Sequence, residues 1–333
     1  MGKVAIHGFG RIGRTLMRIG LERKLFTPFS VSDIRDAPTL AALFEVDTNY
    51  GRWPEPITST DNSFTIGGRE VQYYNAMKEL PNWGELGVEL VVDCTGRATT
   101  REGAQPHLDK GAKHVLVSGP SKTKEDADAV ILMGINTDTY DAAKHQIVSM
   151  ASCTTNALAP VVKILMDNYG IQYGLFSTVH AYTNTQSLTD QPMKDRRDSW
   201  AAAENIIPSS SGAAKALAMV YPGLKITGKA YRVPVRTGSI VELNAMTEKP
   251  VTVEEVNAVF RQAAGEGQLK GIMGVLEGEW SSARIVGDSH SSIIDLPLTM
   301  VQDTNFLSVA AWYDNEYGYT SRLAEMTGIM ANK

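Results

Sequence analysis

The sequence has few cysteines, no long apolar run and no excess of positive charge, and each absence excludes a class of protein. Its 333 residues contain two cysteines, Cys94 and Cys153, which are too few for a disulfide framework and indicate a reducing compartment. No apolar run approaches the ~18 residues of a membrane span. With a formal net charge of −5, the chain has no excess of basic residues that would attract nucleic acids or anionic lipids. We therefore expect a cytoplasmic protein that binds neither nucleic acid nor membrane.

Two patterns of strands divide the chain near residue 150, as expected for a chain of about two domains. In the first part, strand and helix signals alternate, which predicts βαβ units and a parallel sheet. In the second part, strands follow strands, which predicts an α+β domain with a mostly antiparallel sheet. The strand candidates of that second part lie at residues 174–183, 227–235, 240–247, 293–301 and 306–312.

Two helices of the second part have recognisable signals. Thr252 and Glu255 match a capping box and predict a helix that continues through Ala263. Residues 319–330 are typical of a closing helix. Between the first two strands of this part, the polar segment 183–205 has no period, and a loop of that length in a compact domain is usually functional or disordered.

A glycine motif at the start of the chain predicts a dinucleotide site. Gly8, Gly10 and Gly13 fit G-x-G-x-x-G between a strand and a helix, and the motif begins too early to leave room for a signal peptide. Such glycines let a pyrophosphate approach backbone amides at a helix N-terminus. Asp33, 20 residues past Gly13, is placed to bind ribose hydroxyls and favours NAD. Arg35 leaves NADP as a second, less favoured cofactor. The alternative is a glycine turn that packs a helix on a strand without a ligand.

Cys153 is the candidate nucleophile. It follows an apolar run and precedes a dense apolar stretch, so we expect it at a helix N-terminus, where the helix dipole favours the thiolate. Pro160 is expected early in this helix, where proline is tolerated. The alternative is a small buried hydrophobic residue, and we assign that structural role to Cys94.

His180 is the candidate base for this nucleophile. It ends the apolar run 174–179 and begins a polar loop, so it is expected at the end of a sheet. The alternative is a histidine with a structural role, since the sequence does not show that His180 reaches Cys153.

Together these segments resemble one known family, the phosphorylating glyceraldehyde-3-phosphate dehydrogenases. The resemblance covers nearly the whole chain in order. Its motifs are residues 8–14, 151–156, 179–183, 205–215, 231–234 and 312–318.

The resemblance implies an α/β protein in two parts. Residues 1–151 would form a Rossmann dinucleotide-binding domain, joined by a C-terminal helix 317–333. Residues 152–316 would form an α+β catalytic domain on a mostly antiparallel sheet. The family is homotetrameric, so a homotetramer is also implied, with the loop 183–205 ordered near a neighbouring subunit's cofactor.

The resemblance also assigns roles by position. Cys153 would be the nucleophile and His180 the base, paired as thiolate and imidazolium. Thr183 and Arg232 would hold the substrate's phosphate. The site of the attacking inorganic phosphate would comprise Ser152, Thr154, Arg197, Ser211 and Gly212. Further cofactor contacts would be Arg11, Ile12, Thr95, Gly96, Ser118, Asn315 and Tyr319. The alternative for Arg197 and Arg232 is a solvated surface charge.

The implied activity is the conversion of glyceraldehyde 3-phosphate, phosphate and NAD to 1,3-bisphosphoglycerate and NADH through a cysteine thioester, without a metal. Two alternatives stay open: an erythrose-4-phosphate dehydrogenase, in which water replaces phosphate, and a catalytically silent NAD-binding interaction protein. The chain departs from the family pattern at several positions. His7 replaces a usual Asn, Trp200 replaces an arginine in many members, and Arg236 adds a cation near Arg232.

Overall fold

The computed structural model of the chain describes residues 2–77 and 79–333, and they form two compact units. The first unit extends to Ile131 and also contains Thr137–Ala151 and Thr320–Lys333. The second unit contains Leu132–Asn136 and Ser152–Tyr319.

The first unit is built on a sheet whose central strands are parallel. Its strands are β1 (Lys3–His7), β2 (Pro28–Asp33), β3 (Val46–Asp47), β4 (Gly51–Arg52), β5 (Ile57–Ser59), β6 (Ser63–Ile66), β7 (Arg69–Asn75), β8 (Val88–Asp93), β9 (His114–Val117), β10 (Ala129–Val130) and β11 (Ile147–Ser149). Its helices are α1 (Arg11–Glu22), α2 (Ala37–Glu45), α3 (Trp83–Leu86) and α4 (Arg101–Asp109).

The strand order in this sheet is β10-β11-β9-β8-β1-β2-β7-β6-β5. The pairs from β10 to β7 are parallel, as the strand–helix alternation predicts, whereas β5 and β6 add antiparallel pairs at one edge. The order reverses at β1, which lies between β8 and β2. In open α/β sheets, ligands bind beyond the carboxyl ends of the strands at such a switch point.

The second unit combines a mixed sheet with three helices and the start of a fourth. The elements are α5 (Cys153–Asn168), β12 (Ile171–Ala181), β13 (Ile207–Ser210), α6 (Ala213–Val220), β14 (Ile226–Val233), β15 (Ser239–Thr247), α7 (Val253–Gly265), β16 (Met273–Leu276), β17 (Ser292–Asp295), β18 (Met300–Gln302), β19 (Phe306–Tyr313) and α8 (Tyr317–Ala331). From residue 320 onward, α8 belongs to the first unit.

This sheet has the order β13-β14-β12-β15-β19-β17-β16, with β18 on β19. Most pairs are antiparallel, as predicted, but β12 with β14 and β16 with β17 are parallel. Along β12 the side chains alternate: Phe176, Thr178 and His180 are buried, while Leu175 and Val179 are exposed. Because successive strand residues point to opposite faces, His180 lies on the buried face of the sheet.

Local signals explain where two helices begin. Ser152 caps α5, since its Oγ accepts a hydrogen bond from the Thr155 amide at 3.1 Å. The predicted capping box of α7 is confirmed, with Thr252 and Glu255 bonded reciprocally. Pro160 was expected early in α5 and instead lies in its interior, as the eighth residue from Cys153.

Among the helices that the structure describes, none combines the length and the apolar character needed to cross a membrane.

Candidate active site

The glycine motif of the first unit forms the turn from β1 to α1. Gly8 has φ +86°, and a Cβ there would lie 2.8 Å from the Thr95 backbone nitrogen. At Gly13 a Cβ would lie 2.1 Å from the Gly8 carbonyl oxygen, so both positions require glycine. At Gly10 a Cβ would meet nothing within 4 Å, and no side chain caps α1 there. The turn therefore offers an open approach to a helix N-terminus, which fits the pyrophosphate of a dinucleotide.

The predicted acid lies beside this turn. Asp33 ends β2, and its Oδ2 accepts a hydrogen bond from the Phe9 amide at 2.6 Å. Its Oδ1 accepts one from the Arg35 amide at 3.0 Å. Each carboxylate oxygen has two lone pairs, so Asp33 retains acceptors for ribose hydroxyls. The Arg35 side chain is exposed.

Other predicted cofactor residues lie at the same edge of this sheet. Thr95 and Gly96 follow β8, and the Thr95 amide and hydroxyl both donate to Asp93, at 2.9 and 2.7 Å. Ser118 follows β9, and its amide donates to the Asp93 carbonyl at 2.9 Å. Ile12 lies in the first turn of α1, next to Arg11, whose guanidinium is ion-paired with Asp47. The contact of Arg11 with a cofactor stays a prediction.

Two histidines and one carboxylate form a cluster that includes His7, the residue directly before the glycine turn. His7, Asp93 and His107 are close enough together to be considered as metal ligands. The Trp83 indole N–H donates to His107 Nδ1 at 3.1 Å, so His107 carries its proton on Nε2, which donates to Asp93 at 3.1 Å. A metal at that nitrogen would have to displace this proton and leave the Trp83 N–H unsatisfied. This donor set fits a hydrogen-bond network better than a metal site, and the absence of a metal stays a prediction.

In the second unit, the structure brings the candidate nucleophile and base together. Cys153 is the first residue of α5 and is partly exposed, while His180 is 3% exposed near the end of β12. The Cys153 Sγ lies 3.3 Å from His180 Nε2, within hydrogen-bond distance for sulfur. A proton can therefore pass directly between these two side chains.

Burial and a neighbouring cation act on the two groups of this pair. Burial raises the pKa of the Cys153 thiol, and the positive charge of Arg232 opposes this. Burial, with Arg232 as the second cause, lowers the pKa of His180. The thiolate–imidazolium pair that the resemblance implies stays a prediction.

Arg232 lies against the base. It is opposite His180 in the parallel pair of β14 and β12, and its Nη1 is 2.5 Å from His180 Nδ1. The same Nη1 is 3.3 Å from the Ala181 carbonyl oxygen. Its Nε is buried, and no described residue forms a hydrogen bond with it. Arg232 is thus not the solvated surface charge that the alternative assumed.

The second residue predicted beside Arg232 lies in the loop after β12. The Thr183 hydroxyl is 2.9 Å from the Thr185 hydroxyl and 3.1 Å from Gln186 Oε1, which also accepts the Thr183 amide at 2.9 Å. Thr183 is partly exposed. Its position two residues past Ala181 puts it at the same end of β12 as His180.

The buried residue Tyr313, which the sequence analysis missed, joins two threonines of this site through its hydroxyl. The Tyr313 hydroxyl lies 3.0 Å from Thr154 Oγ1 and 2.7 Å from Thr178 Oγ1. Thr178 donates its proton to the Ile240 carbonyl at 3.1 Å, so Thr178 accepts from Tyr313, and Tyr313 accepts from Thr154. The Thr154 hydroxyl therefore donates its proton to Tyr313 and cannot donate it to a phosphate as well. If Thr154 binds phosphate as predicted, we expect it to do so through its main-chain amide. A tyrosine in an apolar strand carries no sequence signal for this role.

The remaining residues predicted for inorganic phosphate lie on three segments of the second unit. Ser152 is partly exposed at the start of α5, where its hydroxyl is 2.8 Å from the Thr155 hydroxyl. Arg197 is exposed in a single turn that packs on β13. Ser211 and Gly212 follow β13, and a Cβ at Gly212 would meet nothing within 4 Å. Their convergence on one anion stays a prediction.

Asn315 and Tyr319, predicted as cofactor contacts, belong to the second unit. Asn315 Oδ1 accepts from the Gly238 amide at 3.1 Å and from the Ser239 hydroxyl at 3.0 Å. These bonds fix the orientation of the carboxamide, so its NH₂ group points away from Ser239. Ser239 Oγ also accepts from the Ala181 amide at 3.1 Å. Ser239 is therefore a second residue that sequence reasoning missed. Tyr319 is buried in α8.

The parallel sheet with its glycine turn, and the paired thiol and imidazole, are typical of one class of proteins. This class is the nucleotide-dependent dehydrogenases that use a catalytic cysteine. Two family models match the chain: the NAD binding domain of glyceraldehyde 3-phosphate dehydrogenase over residues 2–101 and its C-terminal domain over residues 152–315. The chain therefore belongs to the glyceraldehyde-3-phosphate dehydrogenase family, and its cofactor is NAD.

Curated relatives agree over the full length. A glyceraldehyde-3-phosphate dehydrogenase of Streptomyces coelicolor is 45% identical over 99% of both chains. That of Geobacillus stearothermophilus is 46% identical over 99% of this chain and 98% of its own. Glyceraldehyde-3-phosphate dehydrogenase 1 of Bacillus cereus is 44% identical over 100% of this chain and 99% of its own.

Proposed function

We propose that the chain oxidises glyceraldehyde 3-phosphate to 1,3-bisphosphoglycerate through a thioester on Cys153, with inorganic phosphate as the acyl acceptor. The observation that carries the proposal is the 3.3 Å contact of Cys153 Sγ with His180 Nε2 at the start of α5. This pair can generate a nucleophilic sulfur and remove a proton from the adduct that forms on it. Arg232 supplies a cation beside the pair, and this supports a phosphorylated substrate.

The chemistry follows from these groups. The Cys153 sulfur attacks the aldehyde carbon, and the thiol proton passes through His180 to the new hydroxyl of a hemithioacetal. The glycine turn and Asp33 would hold NAD, which would supply the hydride acceptor for this oxidation. His180 Nε2 takes the hydroxyl proton as the thioester forms. Phosphate oxygen then attacks the thioester carbonyl, and the Cys153 sulfur leaves with its electron pair. Amides in the first turn of α5 are placed to stabilise negative charge on the carbonyl oxygen.

A substitution of the sulfur tests this mechanism. Cys153→Ser should retain the fold and NAD binding but lose turnover, because a hydroxyl is a far weaker nucleophile than a thiol at neutral pH. The measurements are circular dichroism, NAD titration and NADH formation with glyceraldehyde 3-phosphate. Cys94→Ser is the control, since Cys94 belongs to the first unit and should keep full turnover. Substantial turnover by Cys153→Ser would end the proposal.

The acyl acceptor is tested separately by the phosphate dependence of the rate. Release of the acyl phosphate requires inorganic phosphate, so turnover should stop after one equivalent of NADH per site when phosphate is omitted. Sustained turnover in phosphate-free buffer, above all with erythrose 4-phosphate, would point to water as the acceptor.

We also propose that the chain forms a homotetramer in the cytoplasm. The support for self-association is one face of the second sheet, where Tyr173, Leu175 and Val179 of β12 are 54%, 63% and 42% exposed. Phe306 of β19 is exposed on the same face, with β15 between the two strands. Exposed apolar side chains grouped on one face mark interaction surfaces. The reducing cytoplasm would keep the Cys153 thiol available. Light scattering should give a tetramer for the wild type and smaller species for Leu175→Glu, and a monomeric wild type would refute the assembly.

A further inference from the structure

A second arginine lies on the segment that joins β14 to β15. Arg236 is three residues past the end of β14. The Tyr182 amide donates to the Val235 carbonyl at 3.2 Å, so the pairing of β12 with β14 continues beyond the ends of both strands. The main chain of Arg236 therefore lies next to the segment that leads into Thr183, which is predicted to hold the substrate's phosphate together with Arg232.

The main chain on the other side of Arg236 is fixed as well. The buried Thr237 donates its hydroxyl proton to Asp314 Oδ1 at 2.9 Å, and the Gly238 amide donates to Asn315 Oδ1 at 3.1 Å. Arg236 is thus held between a segment predicted to bind the substrate's phosphate and a carboxamide predicted to contact the cofactor. An aldehyde bound at Cys153 would have to lie between these two.

The side chain of Arg236 differs from that of Arg232 in its surroundings. Arg232 contacts His180 Nδ1 and the Ala181 carbonyl oxygen through one nitrogen of its guanidinium. Arg236 is exposed, and no residue within 2–77 and 79–333 forms an ion pair or a hydrogen bond with its guanidinium. Its charge is therefore not neutralised by the chain, and five N–H donors remain for an anion.

The spacing of the two arginines allows both to bind one phosphate. Four residues of fully extended chain span at most ~14 Å. The Val235 amide donates to the Val233 carbonyl at 2.7 Å, and this turn around Pro234 shortens the span further. Two long side chains can meet at an anion that lies between their main-chain positions, and a phosphate dianion has enough oxygens for two guanidinium groups.

We propose that Arg236 is a second cation of the substrate-phosphate site and sets a preference for phosphorylated over unphosphorylated aldehydes. This proposal rests on the proposed function. Arg232 would bind the phosphate on the side of His180, and Arg236 would bind it on the outer side, next to Thr183. Arg236 is then a specificity residue, since it contacts the phosphate and not the reacting carbon.

The test uses the full-length chain with saturating NAD and inorganic phosphate. Arg236→Met removes the charge and keeps an unbranched side chain of similar size. It should raise KM for glyceraldehyde 3-phosphate about tenfold, because bonds to a charged partner are lost. Three quantities should stay unchanged: kcat, KM for inorganic phosphate, and kcat/KM for unphosphorylated glyceraldehyde.

Two further variants separate a lost charge from a disturbed structure. Arg236→Lys should recover part of the wild-type KM, because lysine keeps the charge but not the guanidinium fork. Lys225→Met is the matched control, since Lys225 is exposed at the opposite end of β14 and should leave KM unchanged.

The salt dependence of KM gives a readout that a structural effect would not change. Salt screens interactions of exposed charges. The ratio of KM values for Arg236→Met and wild type should therefore fall as potassium chloride is raised from low to high concentration. A ratio that does not change with salt would overturn the proposal.

The remaining outcomes distinguish this proposal from the proposed function. If the wild type oxidises glyceraldehyde 3-phosphate and Arg236→Met has the same KM, the second cation is refuted and the proposed function stands. A raised KM for inorganic phosphate alone would also refute it, because Arg236 would then serve the acyl acceptor. If the wild type oxidises no aldehyde, the proposed function fails. Calorimetric binding of glycerol 3-phosphate would then still decide the role of Arg236, with affinity about tenfold weaker in Arg236→Met expected and equal affinity refuting it.

Discussion

Replacing His7 by asparagine should make the stability of the chain less sensitive to acid. His7 ends β1, with its Nδ1 2.7 Å from the buried Ser32 hydroxyl and its ring 4.9 Å from that of His107. Burial lowers the pKa of His7 from 6.5 to about 4, and the attraction of Asp93 only partly offsets this. The native state therefore holds His7 neutral in a pH range where the unfolded chain binds a proton.

The sign and the size follow from this difference. The unfolded state binds more protons than the native state below pH 6.5, so stability falls as pH falls from 6.5 toward 4. Each pH unit in that window costs about 1.4 kcal/mol, so the loss due to His7 between pH 7 and pH 5 is about 2 kcal/mol. Asparagine does not titrate, and its amide can replace the contact with Ser32.

The assay is urea unfolding of the wild type and His7→Asn at pH 7 and pH 5, followed by far-ultraviolet circular dichroism. The quantity to compare is the change in the free energy of unfolding between the two pH values, which should be about 2 kcal/mol smaller for the variant. His145→Asn, at a partly exposed histidine of the same unit, is the control. Equal pH dependence of His7→Asn and wild type would refute the reasoning.

Three further predictions concern other groups of the site. Asp33→Asn should raise KM for NAD about tenfold and improve the use of NADP, measured as the ratio of kcat/KM for the two cofactors, because a charged acceptor of hydrogen bonds is lost. Ser239→Ala should raise KM for NAD without changing the alkylation rate of Cys153, since it frees the carboxamide of Asn315, and Ser239→Thr should restore KM. Tyr313→Phe should lower the free energy of unfolding by about 1–3 kcal/mol, measured by urea unfolding, because it leaves two buried hydroxyls without their partner. An unchanged KM in the first two variants, or an unchanged midpoint in the third, would contradict them.

Local features of the fold could be predicted from the sequence because they depend on residues close in the chain. The glycine turn at Gly8, the start of α5 at Cys153 and the capping box at Thr252 each follow from a few neighbouring residues. The antiparallel strands β5 and β6 had no comparable signal, because they are short and carry little alternation.

Contacts between distant residues could not be predicted in this way. Cys153 and His180 are 27 residues apart in sequence, and nothing in either segment specifies their distance. The family resemblance supplied this pair, but it did not supply the contact of Arg232 with His180, because that contact depends on the pairing of β14 with β12. Tyr313 and Ser239 were missed for the same reason, since their partners come from other strands.

The register of β14 against β12 places the cation of this site. The parallel pairing sets Arg232 opposite His180, and residues directly opposite one another point to the same face of a sheet. A shift of β14 by one residue would turn Arg232 to the other face and replace it with Tyr231 or Val233. The strands would still pair, and the thiol and imidazole would still meet, but no guanidinium would lie beside His180. Substitutions in β14 that disturb its register should therefore weaken binding of a phosphorylated substrate before they remove the nucleophile.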